Sequence, residues 1–528
     1  MTDRSGLQPW GRSPIPRRRV LASVMGLGTL SALTACSTTA GFDVDTSAPP
    51  TTGGSLRVGL TGGSSADTLD AHIPVNSGDA ARVINLYEPL VERDDDYQIA
   101  YRLAESLEPD DDGAVWTLRL RENLKFSDGS DLTADDVVFT FERVTDPADP
   151  KTNASNLSTF DRAEAVDDRT VRIYLSAPNA ILDDSLAQYS MGVVPRGYDP
   201  ANPIGAGPFK LKSFTAGLST ALERNPHYWG QSPHLDEVEL LNFNDTDALI
   251  NALLSSQVDC VGQIPLSLVD VLNSDERMAV LNSPTGMWLP FTMRVDVAPF
   301  DDVRVRQAFR LAVDREQMIE QVLSGNGELG NDMFSPFDPF YPQELSQREQ
   351  DIAQAKELLA QAGHPDGLTV ELVTAPIQSG VVEAAQVFAE QAREAGITVN
   401  IRRVDTTTFF GEQYLQWSFA QSFWYTRNFI PQARNCATAD APFNETAWVD
   451  EEFTALVDQA QEELDADLRG DFIQQAQEML YDRGGYIIWG FANQVDAYQR
   501  YVLGLEENST GLPLSGYTFR RVWLGEVL

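Results

Sequence analysis

The chain has 528 residues, more than the ~250–300 that one hydrophobic core supports, so two or three lobes are expected. Hydrophobic residues make up 42% and charged residues 22% of the sequence, as in an ordinary soluble globular protein. The formal net charge of -39 excludes nucleic acid as a partner, because binding to phosphates requires clustered Lys and Arg.

The first segment has the order of a lipoprotein signal peptide. Basic residues at Arg17–Arg19 precede a short apolar stretch, Val20–Leu33, which is within the signal-peptide range and too short to span a bilayer comfortably. The stretch ends in Leu33-Thr34-Ala35-Cys36, which resembles a bacterial lipobox. We therefore predict a signal peptide over 1–35, lipidation of Cys36, and anchoring on the outer face of the cytoplasmic membrane. The arginine run also resembles a twin-arginine signal, and the choice between that route and general secretion stays open.

Residues 36–54 are rich in Ser, Thr, Pro and Gly and predict a flexible tether. Beyond the tether no segment reaches ~18 uninterrupted apolar residues, so no other membrane crossing is predicted. Once Cys36 carries lipid, Cys260 and Cys436 remain. In an oxidising location this pair could form a disulfide or stay as two buried thiols.

Strands and helices alternate after the tether. Alternating apolar residues predict strands over 55–60, 116–120, 171–175, 209–214 and 220–224. Thr133 followed by Asp136 predicts a helix start of the capping-box type, with a helix over 134–144.

Longer helices follow from about residue 300. A long amphipathic helix is predicted over 303–323, and Gly363 and Gly396 each separate a helix from a strand. That rhythm is typical of α/β crossover units. The remaining predictions are helices over 352–362, 381–395, 451–463 and 469–480, strands over 368–373, 397–404 and 486–491, and an irregular C-terminal end.

Motifs for catalysis, metals or cofactors are missing or out of context. Gly325–Gly330 matches G-x-G-x-x-G but follows a helix instead of a strand, which is the wrong context for a dinucleotide. The acidic run 108–113 lacks the twelfth-position Glu of a calcium loop, since that position is Arg119. The four histidines are scattered, and no nucleophile-base signature is present. We therefore expect no enzyme activity, no cofactor and no dedicated metal site.

Several segments carry a family resemblance that spans nearly the whole chain after the tether. They are LYEPLVERD (86–94), LAESLEPDDDGAVWTLRLRENLKFSDGSDLTADDVVFTFERVTDP (103–147), NPIGAGPFKLKSF (202–214), LERNPHYWG (222–230), FDDVRVRQAFRLAVDREQMIEQVLSGNG (300–327) and AKELLAQAGHPDGLTVELV (355–373). Together they resemble the bacterial extracellular solute-binding proteins of family 5, the peptide/nickel/opine class.

The resemblance implies an α/β fold of two lobes joined by a hinge, with solute held between the lobes. Lobe 1 would comprise 55–295 plus 491–528, with an extra subdomain at about 80–200, and lobe 2 would comprise 296–490. The solute would pass to the permease and ATPase of an ABC importer, and a monomer is expected.

The resemblance also indicates candidate ligand-binding residues. In peptide-binding relatives a segment W-x-x-D-x-x-D-P holds the free amino group of the peptide with its first Asp. Here Trp424 and Pro431 match that segment, but Arg427 occupies the Asp position. A guanidinium repels an ammonium and suits a carboxylate or phosphate. We therefore expect an anionic or acceptor-rich solute, contacted by Arg427, Trp424, Tyr425 and Asn428, with Trp288 and Tyr87 as further cleft-wall candidates.

Alternatives remain open at this point. Arg427 could pair with one of the many acids, and Trp288 and Tyr87 could be core residues. The ligand could be an ordinary di- or oligopeptide, with a nickel chelate less favoured. A ligand-sensing or chaperone-like lipoprotein could share the fold without transporting a solute, and a secreted hydrolase would need a nucleophile-base pair that the sequence lacks.

Overall fold

A computed structural model describes residues 44–46 and 49–526. The predicted signal peptide, the lipidation site Cys36 and most of the predicted tether lie outside the described residues. Within them the chain forms two sheet systems and a separate four-stranded sheet, each packed with helices over its own hydrophobic core. Two further pairs of short strands are Val91–Arg93 with Ile99–Tyr101 and Val502–Leu503 with Trp523–Leu524.

The largest sheet has eight strands and contains residues from both ends of the chain. Its first strand, Ser55–Thr61, buries Leu56, Val58 and Leu60 and pairs in parallel with Glu237–Phe243. The spatial order is Met278–Trp288, Gly490–Gln499, Cys260–Val261, Ser55–Thr61, Glu237–Phe243, Ser219–Arg224 and Phe209–Thr215, and Gly327–Leu329 also pairs with Gly490–Gln499. Helices Ser77–Leu86, Thr246–Leu254 and Val269–Asn273 accompany this sheet.

A smaller antiparallel sheet lies within the predicted subdomain region. Its strands are, in spatial order, Ala104–Pro109, Val115–Leu120, Thr170–Leu175 and Phe160–Asp167. Helix Ala134–Val144 packs on this sheet and begins at the predicted cap, where the Thr133 backbone N–H donates to Asp136 Oδ2 at 2.9 Å. The elements flanking this sheet are the hairpin Val91–Arg93 and Ile99–Tyr101 and the helix Leu182–Leu186.

The second sheet system contains three antiparallel strands and a parallel pair. The three strands are Phe419–Gln421, Phe291–Met293 and Tyr486–Ile487, and the pair is Leu368–Thr374 with Ile397–Arg403. Gly363 and Gly396 follow the helices that precede the paired strands and have φ of +94° and +82°, a conformation that glycine adopts without a Cβ clash. The helices are Val303–Leu311, Arg315–Leu323, Ile352–Gln361, Val381–Glu394, Thr406–Phe409, Phe429–Cys436, Glu451–Glu462 and Ala466–Arg483.

Three sequence predictions of secondary structure are wrong. The predicted strand over 486–491 is two strands, Tyr486–Ile487 and Gly490–Gln499, which belong to different sheets. The predicted helix over 303–323 is two helices, because the Asp314 side chain accepts from the Gln317 backbone N–H at 2.9 Å and caps a new helix start. The C-terminal end is not wholly irregular, since Gly490–Gln499 is a ten-residue strand inside the largest sheet.

The chain passes between the two sheet systems four times. It leaves the largest sheet after Trp288 and enters the second system at Phe291, and it returns for good between Ile487 and Gly490. Between these points it adds Gly327–Leu329 to the largest sheet and re-enters the second system before Leu368–Thr374. The lobe boundaries at 295/296 and 490/491, and the hinge itself, remain predictions. Within the described part of the chain Cys260 and Cys436 are both buried and unpaired, so the open question of a disulfide between them is answered in favour of free thiols.

Candidate functional site

A cavity of about 530 Å³ is lined by segments from distant parts of the chain. Contributions come from helix 77–86 and the turn before it, from the loops at 152–156 and 187–190, from the C-terminal segment 508–520, and from residues 425–427. The volume is within the range of sites that enclose a small organic molecule. The cavity therefore lies where the largest sheet, the subdomain region and the second sheet system converge.

Arg427 lies on the cavity wall without a carboxylate partner among the described residues. Its guanidinium carbon is 5.6 Å from the centre of the Trp424 ring, which supports it by a cation–π contact. Its one hydrogen bond runs from Nη1 to Gln432 Oε1 at 3.5 Å, at the long limit for such a bond. Most of its N–H groups are therefore available to a solute.

Three tyrosines surround the Arg427 charge. Tyr425 and Tyr189 line the cavity with 44% and 38% of their surface exposed. Burial raises the pKa of Tyr97 to about 12, and the positive charges of Arg93 and Arg427 oppose that rise. The Tyr97 hydroxyl donates to the Thr426 carbonyl at 2.9 Å, which ties the hairpin 91–101 to the segment that carries Arg427.

Trp288 and Trp424 lie in the core instead of on the cavity wall. Trp288 is 1% exposed and stacks between Phe334 and Trp424, at centroid distances of 5.6 and 6.1 Å. The backbones of the two tryptophans exchange hydrogen bonds of 3.0 Å in both directions. The expectation that Trp288 lines the cleft is corrected, because its strand directs the ring toward a cluster of buried aromatic residues. The Trp424 ring contacts the guanidinium of the lining residue Arg427.

Asn428 and Tyr87 have partners within the protein. Asn428 Nδ2 donates to Asp184 Oδ2 at 3.1 Å, which links the start of helix 429–436 to the subdomain region. Tyr87 borders the cavity but is 1% exposed, and its hydroxyl donates to the Leu69 carbonyl at 2.6 Å. Asn428 is not among the residues that line the cavity, and Tyr87 exposes almost none of its surface there, so neither side chain is as available to a solute as Arg427 or Tyr425.

The sequence predictions missed a charged network among the residues of the cavity wall. Glu88 and Glu92 line the cavity together with Arg520. Glu88 Oε1 accepts from Arg102 at 2.7 Å, and Glu92 Oε1 accepts from Arg520 at 2.7 Å. Burial raises the pKa of the Glu88 carboxyl, and the charges of Arg102 and Arg520 oppose the rise. The LYEPLVERD segment contains both acids, but no local pattern indicates their arginine partners.

A strained turn of the C-terminal segment also borders the cavity. Leu514, Ser515, Gly516 and Tyr517 have φ of 53°, 59°, 66° and 56°, so four successive residues are left-handed. Non-glycine residues adopt this conformation at a cost and persist in it only where surrounding structure enforces it. Buried Asp496 provides one such contact, since its Oδ2 accepts from the Leu514 backbone N–H at 2.6 Å.

Within the described part of the chain, no group of three or more His, Cys, Asp or Glu side chains is placed to hold a metal ion. No helix there is both long and apolar enough to cross a membrane.

The chain is similar in sequence to known bacterial binding proteins. The sequence profile described as "Bacterial extracellular solute-binding proteins, family 5 Middle" matches residues 98–438. The glutathione-binding protein GsiB of Escherichia coli (strain K12) is 26% identical over 351 residues, which cover 65% of this chain and 68% of the relative.

Solved structures agree on the fold. The ABC transporter substrate-binding protein CtaP from Listeria monocytogenes has a TM-score of 0.81 at 22% identity, covering 90% of this chain and 100% of that one. The periplasmic binding protein DppA from Helicobacter pylori, in complex with peptide STSA, has a TM-score of 0.73 at 21% identity and covers 90% and 99%. The predicted α/β two-lobe binding-protein fold is confirmed.

Proposed function

The chain belongs to the bacterial extracellular solute-binding proteins of family 5, and we propose that its solute presents an anionic group to Arg427. Substrate binding for an ABC importer is the role of this family. The observation that carries the proposal is the Arg427 guanidinium, which lines the cavity with no carboxylate partner among the described residues. A carboxylate or phosphate would form the charge-assisted, bidentate hydrogen bonds that a guanidinium favours.

Tyr425 and Tyr189 support the same proposal. Both rings are partly exposed at the cavity and lie near Arg427. They offer apolar faces for the carbon skeleton of a solute and hydroxyl groups for its polar atoms. The solute would be of peptide size or smaller, and the loaded protein would deliver it to the permease.

The anchor is tested by thermal shift with a panel of monocarboxylates, dicarboxylates and phosphate monoesters, each at about 5 mM. Any anion that stabilises the wild type should lose at least about tenfold in affinity with Arg427→Gln, since hydrogen bonds to charged groups contribute about 1.5–3 kcal/mol. Arg434→Gln is the matched control, because Arg434 is in the adjacent helix and pairs with Asp458 instead of lining the cavity. Equal stabilisation of wild type and Arg427→Gln would refute the anchor.

We further propose that Cys36 carries the lipid that holds the protein at the outer face of the membrane. The order of basic residues, apolar stretch and Leu-Thr-Ala-Cys supports this proposal. In cells grown with an alkyne-tagged fatty acid, the wild type should be labelled and sediment with membranes. Cys36→Ala should be neither labelled nor membrane-bound, and labelling of Cys36→Ala would exclude this site.

A further inference from the structure

From the charges on the cavity wall, we infer that the bound solute is a monoanion with no free ammonium group. Its remaining atoms are uncharged and hydrogen-bonding. The inference rests on the proposed function, because it takes Arg427 as the anchor of the anionic group. It adds that the rest of the solute carries no charge, which the contact with Arg427 alone does not require.

The two carboxylates on the cavity wall are already neutralised. Among the described residues that line the cavity, the acids are Glu88 and Glu92. Arg102 lies 2.6 Å from Glu88 and 3.4 Å from Glu92, and Arg520 lies 2.7 Å from Glu92. Two guanidinium groups thus balance two carboxylates.

The remaining arginine pairs leave one positive charge on the wall. Arg93 forms an ion pair with Asp184 and stacks over Tyr97, with its guanidinium carbon 4.7 Å from the ring centre. Arg520 is engaged with Glu92. Arg427 is therefore the lining residue whose charge has no counterpart in the described part of the chain. A monoanion restores neutrality, whereas an ammonium group would add an uncompensated charge to a partly desolvated site.

Of the two acids that line the cavity, Glu88 has a buried carboxylate oxygen, Oε2, whose surroundings bear on the exclusion of ammonium. This atom is buried and has no hydrogen-bond partner among the described residues. Its partner oxygen already contacts Arg102, and the Glu88 side chain is fully buried. Oε2 is therefore closed to an ammonium group of the solute.

The rest of the wall is suited to neutral polar groups. Several lining side chains have no hydrogen-bond partner in the described part of the chain and can donate as well as accept: Gln188, Gln263, Tyr189, Tyr425, Ser155 and Thr518. Such groups discriminate by hydrogen-bond pattern and not by charge. The wall therefore combines one cationic anchor with a neutral hydrogen-bonding surface.

Four forms of one tripeptide separate the charge classes. Trialanine is a zwitterion, N-acetyl-trialanine a monoanion, trialanine amide a monocation, and N-acetyl-trialanine amide is neutral. Isothermal titration of the full protein at pH 7 should give an affinity for N-acetyl-trialanine at least about tenfold higher than for the other three. Arg427→Asp should reverse the order, because it leaves an unpaired carboxylate, and should favour trialanine amide. Arg434→Gln should change none of the four affinities.

The outcomes distinguish this inference from the proposed anchor. If trialanine binds wild type as tightly as N-acetyl-trialanine, and Arg427→Gln weakens both, the anchor stands and the exclusion of ammonium is overturned. If Arg427→Gln leaves the affinity for N-acetyl-trialanine unchanged, the anchor itself is overturned. An absence of binding by N-acetyl-trialanine at about 10 mM would also count against the inference.

Discussion

Two arginines of this protein lie in contrasting surroundings. Arg310 is fully buried, and its N–H groups donate to four backbone carbonyls around the end of helix 466–483, at 2.7 to 3.2 Å. Arg427 is half-buried on the cavity wall and has a single hydrogen bond, of 3.5 Å, among the described residues. Asp332 lies 4.0 Å from Arg310, whereas no carboxylate in the described part of the chain pairs with Arg427. The number of engaged N–H groups, together with the nearby carboxylate, therefore distinguishes the structural arginine from the one available to a solute.

The largest effect is expected when the structural arginine is removed. Arg310→Met should lower the free energy of unfolding by about 3–5 kcal/mol, because it leaves several buried carbonyls without a donor. Urea unfolding followed by tryptophan fluorescence measures the change. Arg393→Met is the control, since Arg393 is 68% exposed and pairs with Glu390 at the surface. A loss below about 1 kcal/mol would show that the carbonyls find other partners and would contradict the structural role of Arg310.

A buried acid, Glu445, makes the stability of the protein depend on pH. Burial raises the pKa of Glu445 to about 7, and its carboxyl accepts from Ser422 at 2.6 Å and from Tyr414 at 3.3 Å. The folded protein binds this proton more tightly than the unfolded chain. The contribution of the protonated Glu445 to the free energy of unfolding is therefore fully present below the ordinary pKa of 4.5 and is lost as pH rises through about 7.

Glu445→Gln should remove that pH dependence. Between pH 5 and pH 8 the wild type should lose on the order of 3 kcal/mol more than the variant, because a pKa change of one unit corresponds to about 1.4 kcal/mol. The measurement is the difference between the unfolding free energies of the two proteins at each pH. The contributions of the other titrating groups are the same in both proteins and cancel in this difference. Parallel curves for the two proteins would mean that Glu445 is ionised in the fold across this range.

Local signals account for the parts of the fold that the sequence predicted. The cap at Thr133 and the glycines at 363 and 396 act on residues within one turn, so their helix ends could be read directly. Asp314 caps a helix start by the same kind of contact. The apolar periodicity continues across Asp314, however, so the sequence predicted one helix instead of two. Strand 490–499 was missed because its partner strand 278–288 is distant in sequence.

The candidate site also has a part that local sequence predicts and a part that depends on contacts between distant segments. Arg427 and Tyr425 occur in one short segment, and the structure places both on the cavity wall. The wall from the C-terminal segment could not be predicted, since Arg520 contacts Glu92 across 428 positions. The direction in which Trp288 points was equally inaccessible, because both faces of its strand carry apolar residues and the surrounding aromatic cluster is assembled from distant segments.

The smallest expected effect concerns Arg427 in the absence of solute. Arg427→Gln should change the free energy of unfolding by less than about 1 kcal/mol, because a cation–π contact at a partly exposed site contributes about 0.5–1 kcal/mol and its one hydrogen bond is long. Urea unfolding of wild type, Arg427→Gln and Arg310→Met in one experiment gives the comparison directly. A loss of about 3 kcal/mol or more from Arg427→Gln would place Arg427 with Arg310 as a structural residue. The small expected loss of stability follows from the same free N–H groups that make Arg427 available to an anion. Arg427→Gln should therefore lower the affinity for the solute and hardly change stability, whereas Arg310→Met should lower stability.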